Sequence, residues 1–321
     1  TAGSFHTPDL AGVPLLLSRQ KDGTVKVFLN ACRHRGARLV HEKSGAKPAF
    51  ACQFHGWSYR ADGSSLGVPG EVGFCNTGKV ERELIEFPSQ ERHGFIWAVL
   101  DADAQIDVAD FLGAELDEEL ADYKLQDYGV ARAMDVTQSI NWKCYLEGFL
   151  ESYHFSSLHR ATVGPYFVSN TALAKTYGPH GRMVAARRSY KEARAQQQGE
   201  FDVPKHTAVT YTIFPNLVIE LLSDRYSFHF EIWTVFPSSS DPGQGHARAL
   251  LLAETSKLTP EHETFWDKNW QITHNSVLGE DLKVAEGLQD AANSGALKEV
   301  VFGRNEPLLQ HFHQQVLQRI A

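Results

Sequence analysis

The chain has 321 residues, 42% of them hydrophobic and 22% charged, which is typical of a folded globular protein with about two domains. Its formal net charge is -8, from 31 Lys and Arg against 39 Asp and Glu, so nucleic acid and anionic membranes are not expected as partners. It contains neither an apolar run of about eighteen residues nor a signal-peptide pattern, so we expect a cytoplasmic protein.

Residues 1–100 predict a small all-β domain. Its apolar runs are short and are separated by turn pairs, at Asp22-Gly23 and again at Asp62-Gly63. The run Gly94 to Leu100 is typical of a last strand, and an acidic stretch follows it. We therefore place a second domain at residues 101–321.

The second domain has mixed α and β patterns. A helix is predicted from about Trp142 to Tyr153, and strands are predicted at Thr207 to Phe214 and at Phe228 to Phe236. A further helical region begins at Thr259, where a capping residue precedes Pro260. Helical spacing then continues, with breaks, to the end of the chain.

Two pairs in the first domain, Cys32-x-His34 and Cys52-x-x-His55, have the spacing of metal ligands. Two thiolates and two imidazoles fit either tetrahedral zinc or a two-iron cluster in which histidines bind one iron. Each pair is followed by a glycine and lies between predicted strands. This context favours the cluster over a structural zinc site.

A second metal site is indicated by Glu151, His154 and His159. On a helix, Glu147, Glu151 and His154 share one face, because they are spaced by four and three. His159 falls about 140° further around, so both histidines can face one ion only if the helix ends or distorts between them. Two histidines beside a carboxylate suggest the facial triad of a non-haem Fe(II) enzyme.

The third ligand of that triad is expected near the C-terminus, at Asp281. The residues after it form an apolar helical stripe: Val284, Ala285, Leu288 and Ala292. Asp281 lies near the centre of this stripe and Glu280 lies at its edge. A buried carboxylate is costly unless a cation compensates it, so Asp281 is the better candidate.

In this order, the motifs resemble those of the oxygenase component, the α subunit, of the Rieske non-haem iron oxygenases, the ring-hydroxylating dioxygenase family. The resemblance covers nearly the whole chain. It is carried by Cys32-Arg-His34-Arg-Gly, Cys52-Gln-Phe-His55-Gly-Trp, Asn141-Trp-Lys, Glu151-Ser-Tyr-His154 with His159, and Gly279-Glu-Asp281 with Gln289.

The resemblance implies an α+β protein: a small all-β Rieske domain and a catalytic domain of helices packed on a curved antiparallel sheet, a helix-grip or START-like fold. It implies a [2Fe-2S] cluster with Cys32 and Cys52 on one iron and His34 and His55 on the other. Cys32 comes early compared with the family, which is consistent with a missing stretch of the natural N-terminus.

The resemblance also implies that His154, His159 and Asp281 bind mononuclear Fe(II). Family members commonly form head-to-tail homotrimers, in which a carboxylate bridges the iron of one subunit and the cluster of the next. Glu151 occupies that position and would join His154 to a cluster histidine, His55, of a neighbouring subunit.

The implied function is that of a terminal oxygenase. It would use O2 and electrons from an NAD(P)H-dependent reductase, directly or through a ferredoxin, to hydroxylate an aromatic or other small organic substrate. The alternative is a monooxygenase that demethylates or hydroxylates a methylated amine, such as a quaternary ammonium compound, or an aryl ether. Glu151 supports the alternative, because many members have Asp there, whereas some, including enzymes that act on quaternary ammonium compounds, have Glu. Two other classes of function are less expected: an electron-transfer Rieske protein and a zinc-stabilised binding protein.

Overall fold

The computed structural model describes residues 1–74, 78, 80–196, 202–223 and 228–320. The chain divides into two compact units, Thr1–Phe111 and Leu112–Ala321. The division falls later than residue 100 because the segment that follows the last strand is tied to the first unit. There the amide of Val108 donates to the side chain of Gln90 at 2.9 Å, and Phe111 contacts Trp97 edge to face.

The first unit consists of short antiparallel strands joined by tight turns. They are β1 Ser4–His6, β2 Asp9–Leu10, β3 Val13–Arg19, β4 Val25–Leu29, β5 Ser44–Ala46, β6 Ala49–Ala51, β7 Ser58–Arg60, β8 Ser65–Gly67, β9 Glu86–Phe87, β10 Ser89–Arg92 and β11 Phe95–Ala98, followed by helix α1 Val108–Leu112. Among the described residues they form one sheet ordered β5-β1-β3-β4-β9, with β2 beside β3, and the smaller sheets β6-β7-β8 and β10-β11. The sequence-predicted turns at Asp22-Gly23 and Asp62-Gly63 both have glycine at positive φ.

The second unit is one antiparallel sheet with helices. Its strands are β12 Tyr128–Gln138, β13 Phe167–Tyr177, β14 His180–Arg187, β15 Thr207–Ile213, β16 Leu217–Ser223, β17 Phe228–Pro237 and β18 Gly245–Glu254. Its helices are α2 Ala114–Asp122, α3 Trp142–Glu147, α4 Ser189–Gln196, α5 Glu263–Thr273, α6 Leu282–Asn293 and α7 Pro307–Ile320, with a π-helical segment at His274–Asp281. Across the described ranges the strand order is β12-β18-β17-β16-β15-β14-β13.

Both faces of the central strands are buried, which explains their nearly continuous apolar sequences. On one face, Val218 and Trp233 pack in the same core as Leu146 of α3 and Phe312 of α7. On the other face, Tyr123 at the end of α2 contacts Phe230 edge to face. A charged residue within these strands is therefore exceptional.

The predicted helix from Trp142 to Tyr153 is wrong in its length. Helix α3 ends at Glu147, a short 3-10 turn spans Gly148–Leu150, and Glu151 is extended. The carboxylate of Glu151 accepts hydrogen bonds from the amides of Tyr153 and His154, so it caps a new turn instead of continuing the old helix. The polar face expected on α3 does not extend to Glu151 and His154.

The apolar stripe expected after Asp281 is also displaced. The buried side of α6 consists of Leu282, Ala285 and Gln289, while Val284 and Leu288 are about half exposed. Gln289 is drawn inward because its side chain accepts the backbone amide of Asn141 at 2.7 Å. This contact joins the start of α3 to α6.

None of the helices in the described ranges combines the length and the apolar character that crossing a bilayer requires.

Candidate metal centres and active site

The two loops that carry the cysteines and histidines of the first unit are built alike. The amide of Gly36 donates to the carbonyl of Cys32 at 2.8 Å, and the amide of Gly56 donates to that of Cys52 at 2.9 Å. Both glycines have φ near +75°, a conformation that other residues rarely adopt. The loops therefore turn back sharply after each cysteine.

The two turns bring the histidines together. Nδ1 of His34 lies 3.2 Å from Nδ1 of His55, and the His34 ring stacks on Trp57 with the ring planes 8° apart. Two facing imidazole nitrogens beside two buried cysteines are the donor set that a histidine-ligated two-iron cluster requires. The residues present fit that cluster.

The hydroxyl of Tyr59 lies beside the first cysteine. It accepts the amide of Arg33 at 3.0 Å and lies 3.3 Å from Sγ of Cys32, so its own proton is available to the sulfur. Burial raises the pKa of the Cys32 thiol, and the nearby Cys52 thiol raises it further. Two buried thiolates need a compensating cation, which agrees with metal binding.

Replacing Tyr59 with phenylalanine is expected to lower the reduction potential of the bound cluster by tens of millivolts, because a hydrogen bond to a cluster sulfur stabilises the reduced form. A redox titration followed by electron paramagnetic resonance measures the change. Tyr128→Phe, in the second unit, is the matched control. An unchanged potential in the Tyr59 variant would show that the hydroxyl does not act on the sulfur.

In the second unit, three predicted ligands converge. Nε2 of His159 lies 3.2 Å and Nε2 of His154 lies 3.6 Å from Oδ1 of Asp281. Ligand atoms of these three residues all lie within 4.8 Å of one another. The structure therefore brings together two imidazoles and one carboxylate, the donor set of a non-haem iron triad.

The opposite nitrogen of each imidazole is held by a second carboxylate. Nδ1 of His154 bonds to Glu151, and Nδ1 of His159 bonds to Glu280 at 2.6 Å. Glu280 also accepts the hydroxyl of Thr162 at 2.6 Å. An ionised carboxylate only accepts, so both Nδ1 atoms carry a proton, and both Nε2 atoms, which face Asp281, are the nitrogens available to a metal.

The contribution of Glu280 was not anticipated from the sequence, which places it at the edge of a stripe. Its partner His159 lies 121 positions away in the chain, so no local pattern indicates the contact. One general rule could have indicated such a residue: a metal-binding histidine usually donates its other ring N–H to a carboxylate or a carbonyl group.

The charges around the triad agree with this arrangement. Burial alone would lower the pKa of His159, but the carboxylates of Asp281 and Glu280 raise it above its ordinary value. Burial likewise opposes ionisation of Glu151, yet the hydrogen bond with His154 holds its pKa below the usual range. Without a metal, the site attracts protons, so a metal must displace them on binding.

Three local features position the ligands. Helix α3 ends before Glu151, which frees the segment with both histidines to fold around the site. A Cβ at Gly164 would lie 2.5 Å from the carbonyl of Phe155, so only glycine permits this loop to close against His159. The π-helical segment ends at Asp281, and such segments are frequent at functional sites.

The triad borders a cavity of about 120 Å³. Its walls include the apolar side chains Phe149, Phe155, Val163, Phe167, Met183 and Leu222. Two glutamates, Glu220 and Glu231, also line it, directly opposite each other on β16 and β17. Neither glutamate is predicted from the sequence.

Burial raises the pKa of Glu220 to about 8 and that of Glu231 to about 7, with the Glu231 charge adding to the shift at Glu220. Both values exceed the ordinary 4.5, so the folded state holds more protons than the unfolded state in that range. The hydroxyl of Thr210 contacts Glu220 and that of Thr273 contacts Glu231. The negative charge of Asp281 also acts on Glu220 and raises its pKa.

Glu220 and Glu231 should therefore destabilise the ligand-free protein increasingly as pH rises from about 4.5 through about 8. A double variant, Glu220→Gln with Glu231→Gln, should lose less stability over the same range, because its side chains cannot ionise. Thermal unfolding midpoints at a series of pH values measure this. Parallel curves for the two proteins would contradict the assignment.

An iron–sulfur unit followed by a unit with a two-histidine, one-carboxylate site defines a class of two-centre redox proteins. Comparison with protein families agrees: residues 125–321 match the ring hydroxylating alpha subunit (catalytic domain), and residues 1–81 match the Rieske [2Fe-2S] domain. The chain belongs to the ring-hydroxylating alpha subunit family, whose cofactors are a Rieske cluster and mononuclear iron. The family, the α+β fold class and the two cofactors are thus confirmed.

The names of relatives within the family include both dioxygenases and monooxygenases. The chain is 29% identical over 274 residues to the chlorobenzene dioxygenase alpha subunit of Cupriavidus sp. (strain PS12), covering 82% of this chain and 55% of that protein. It is 31% identical over 157 residues to the glycine betaine monooxygenase oxygenase subunit of Chromohalobacter salexigens, covering 49% and 35%. The matched region thus spans about half or less of these relatives.

Solved structures share the fold. A quaternary ammonium Rieske monooxygenase in complex with an inhibitor superposes with a TM-score of 0.83 at 19% identity, covering 99% of this chain and 85% of that one. Naphthalene 1,2-dioxygenase from Rhodococcus sp. bound to indole gives 0.75 at 20% identity, covering 99% and 86%. At this identity the likeness shows the fold alone.

Proposed function

We propose that the chain is the terminal oxygenase component of a Rieske oxygenase, which uses O2 and externally supplied electrons to oxidise a small organic substrate. One observation carries the proposal: two imidazole Nε2 atoms and the Asp281 carboxylate converge at the edge of a cavity. Three protein ligands leave positions open for dioxygen and substrate. The catalytic-domain match opposes both an electron carrier and a zinc-stabilised binding protein.

In this proposal His154, His159 and Asp281 hold the mononuclear iron, and iron bound there supplies O2 activation with electrons from the cluster. The chain's own contribution is geometric. Glu151 and Glu280 keep the Nδ1 protons in place, so both Nε2 atoms stay free to bind metal. The apolar side chains of the cavity wall, such as Phe149 and Phe155, limit water near the reacting atoms.

Cys32, Cys52, His34 and His55 hold the cluster in the same proposal, and an NAD(P)H-dependent reductase or a ferredoxin reduces it. We further propose a homotrimer in which Glu151 connects His154 to His55 of a neighbouring subunit. The support is the family resemblance, together with the position of Glu151 and His154 on the wall of an open groove of about 510 Å³. This groove reaches the triad from outside the cavity, since His154 and Asp281 line both.

For the substrate, ring hydroxylation is the first expectation and oxidation of a methylated amine is the second. Both are represented among the relatives, by chlorobenzene dioxygenase and by glycine betaine monooxygenase. The two cavity glutamates favour the second, because a hydrocarbon ring offers nothing to compensate their charge.

The test uses protein loaded with cluster and ferrous iron, a surrogate reductase with NADH, and isotope-labelled O2. Mass spectrometry of products from a panel of aromatic compounds and methylated amines is expected to show label from O2 in a product. Loss of NADH alone is not counted, because uncoupled turnover also consumes it. Full metal loading and cluster reduction without labelled product, across both compound classes, would refute the proposal.

A further inference from the structure

The glutamate pair of the cavity suggests what its substrate carries. Glu220 and Glu231 are cross-strand neighbours in an antiparallel pair, so their side chains point to the same face of the sheet. We propose that this pair binds a cationic nitrogen, the ammonium group of an organic amine, and thereby holds the substrate beside the triad. The inference rests on the oxygenase function proposed above and specifies its substrate class.

In the part of the chain that the structure describes, hydrogen bonds reach one oxygen of each carboxylate. Glu231 is 3% exposed, and its Oε1 accepts the hydroxyl of Thr273. Oε1 of Glu220 accepts the hydroxyl of Thr210 at 3.3 Å. Among the described residues, no hydrogen bond or ion pair reaches the Oε2 atom of either side chain. Both side chains line the cavity, so these two oxygens are the acceptors that a bound ligand can use.

Over the described residues, the cavity wall has no permanent positive charge, because neither Lys nor Arg lines it. His229 lines the cavity on the same strand as Glu231, and Asp281 adds a further negative charge to the wall. Like charges that face each other across two strands are destabilising, and burial increases the cost. A cation bound between the two carboxylates offsets both penalties.

The pair is separate from the candidate metal centre. Within the described ranges, His154, His159 and Asp281 form the one group of three or more potential ligands whose atoms lie within 4.8 Å, and neither glutamate belongs to it. The iron and the ammonium group would therefore occupy different parts of one cavity. Apolar side chains such as Phe149 and Phe155 line the space and suit the carbon skeleton of the amine.

The alternative is that the pair shares a proton and donates a hydrogen bond to a neutral substrate. Matched probes separate the two possibilities: benzylammonium against benzyl alcohol, and choline against 3,3-dimethylbutan-1-ol. Calorimetric titration is done without O2 on protein carrying cluster and ferrous iron, so that binding is measured without turnover. At least one cation is expected to bind about tenfold or more tighter than its neutral counterpart.

Glu220→Gln and Glu231→Gln should each remove most of that preference and leave the affinity for the neutral probe nearly unchanged. Glu254→Gln, at the end of β18 and outside the cavity wall, is the matched control and should keep it. Equal affinities of wild-type protein for both members of each pair would overturn the proposal, and this comparison needs no variant. So would a cation preference that survives in the double glutamine variant.

The outcome is distinct from that of the oxygenation test. Cation preference without labelled product would refute the oxygenase proposal and leave the binding site intact. Labelled product from neutral aromatic compounds, formed at the wild-type rate by the double variant, would refute the cation site alone.

Discussion

Replacing Asp281 with alanine is expected to leave the cluster in place and to remove the mononuclear iron. Oδ1 of Asp281 is the atom on which both imidazole Nε2 atoms converge, at 3.2 and 3.6 Å. It also supplies the negative charge that a divalent ion needs at the site. Without it, two neutral imidazoles remain, and iron affinity should fall by more than the roughly 10- to 100-fold typical of losing an outer partner.

Iron and sulfide analysis, together with the visible spectrum of the cluster, measures the two centres separately. Glu280→Ala is the matched comparison, because Glu280 contacts Nδ1 of His159 and not the ligand side of the ring. It should weaken iron binding but leave the site able to fill at high ferrous concentration. The reverse order, with Asp281→Ala retaining iron and Glu280→Ala losing it, would move the ligand assignment to Glu280.

The spacing of the candidate cluster ligands could be interpreted from the sequence because all the necessary geometry is local. Each cysteine, its histidine and the glycine after them lie within five consecutive residues, and the hydrogen bond that closes each turn joins residues of the same loop. The order of strands and turns around them is equally local. The geometry of each loop is therefore the same in any tertiary structure that keeps the two loops adjacent.

The surroundings of the second centre could not be predicted in the same way. The sequence predicts a helix that reaches Tyr153, because a helical-wheel pattern considers only side-chain positions. It does not include a side chain that caps the following turn, as the carboxylate of Glu151 does. Which side of α6 is buried depends on the π-helical segment before it and on Gln289. The side chain of Gln289 accepts the amide of Asn141, which lies 148 positions away in the chain. The stripe near Asp281 indicated a residue that the fold does bring beside His154 and His159, although the buried face of the stripe was wrong.

The pair of Glu220 and Glu231 could not be predicted from the sequence for a related reason. In a strand with two buried faces, the apolar pattern is nearly continuous, and alternation does not distinguish the face that lines a cavity. Glu220 stands between apolar residues of β16, and its partner becomes evident only from the register with β17. Register is a property of the folded sheet, so the juxtaposition has no local signal.

Replacing Glu151 with glutamine is expected to slow electron transfer from the cluster to the mononuclear iron while both metals remain bound. Glutamine keeps the length of the side chain but has one oxygen in place of two. In the protein, Glu151 uses one oxygen for Nδ1 of His154 and the other for backbone amides of the following turn. A single acceptor cannot serve both, and the negative charge that favours a protonated neighbour is lost.

Glu280→Gln provides the control for this variant, because each glutamate holds Nδ1 of one of the two proposed ligand histidines. Glu280 makes both of its contacts through one oxygen, so its glutamine variant should lose less iron affinity than the Glu151 variant. If Glu151 only positions His154, the two variants should nevertheless reoxidise the cluster at similar rates once iron is saturating. If Glu151 also lies on the electron route between subunits, its variant alone should reoxidise the cluster slowly at full iron occupancy. Stopped-flow absorbance of the reduced cluster, mixed with O2 and substrate, distinguishes these results, and equal rates would exclude the bridge.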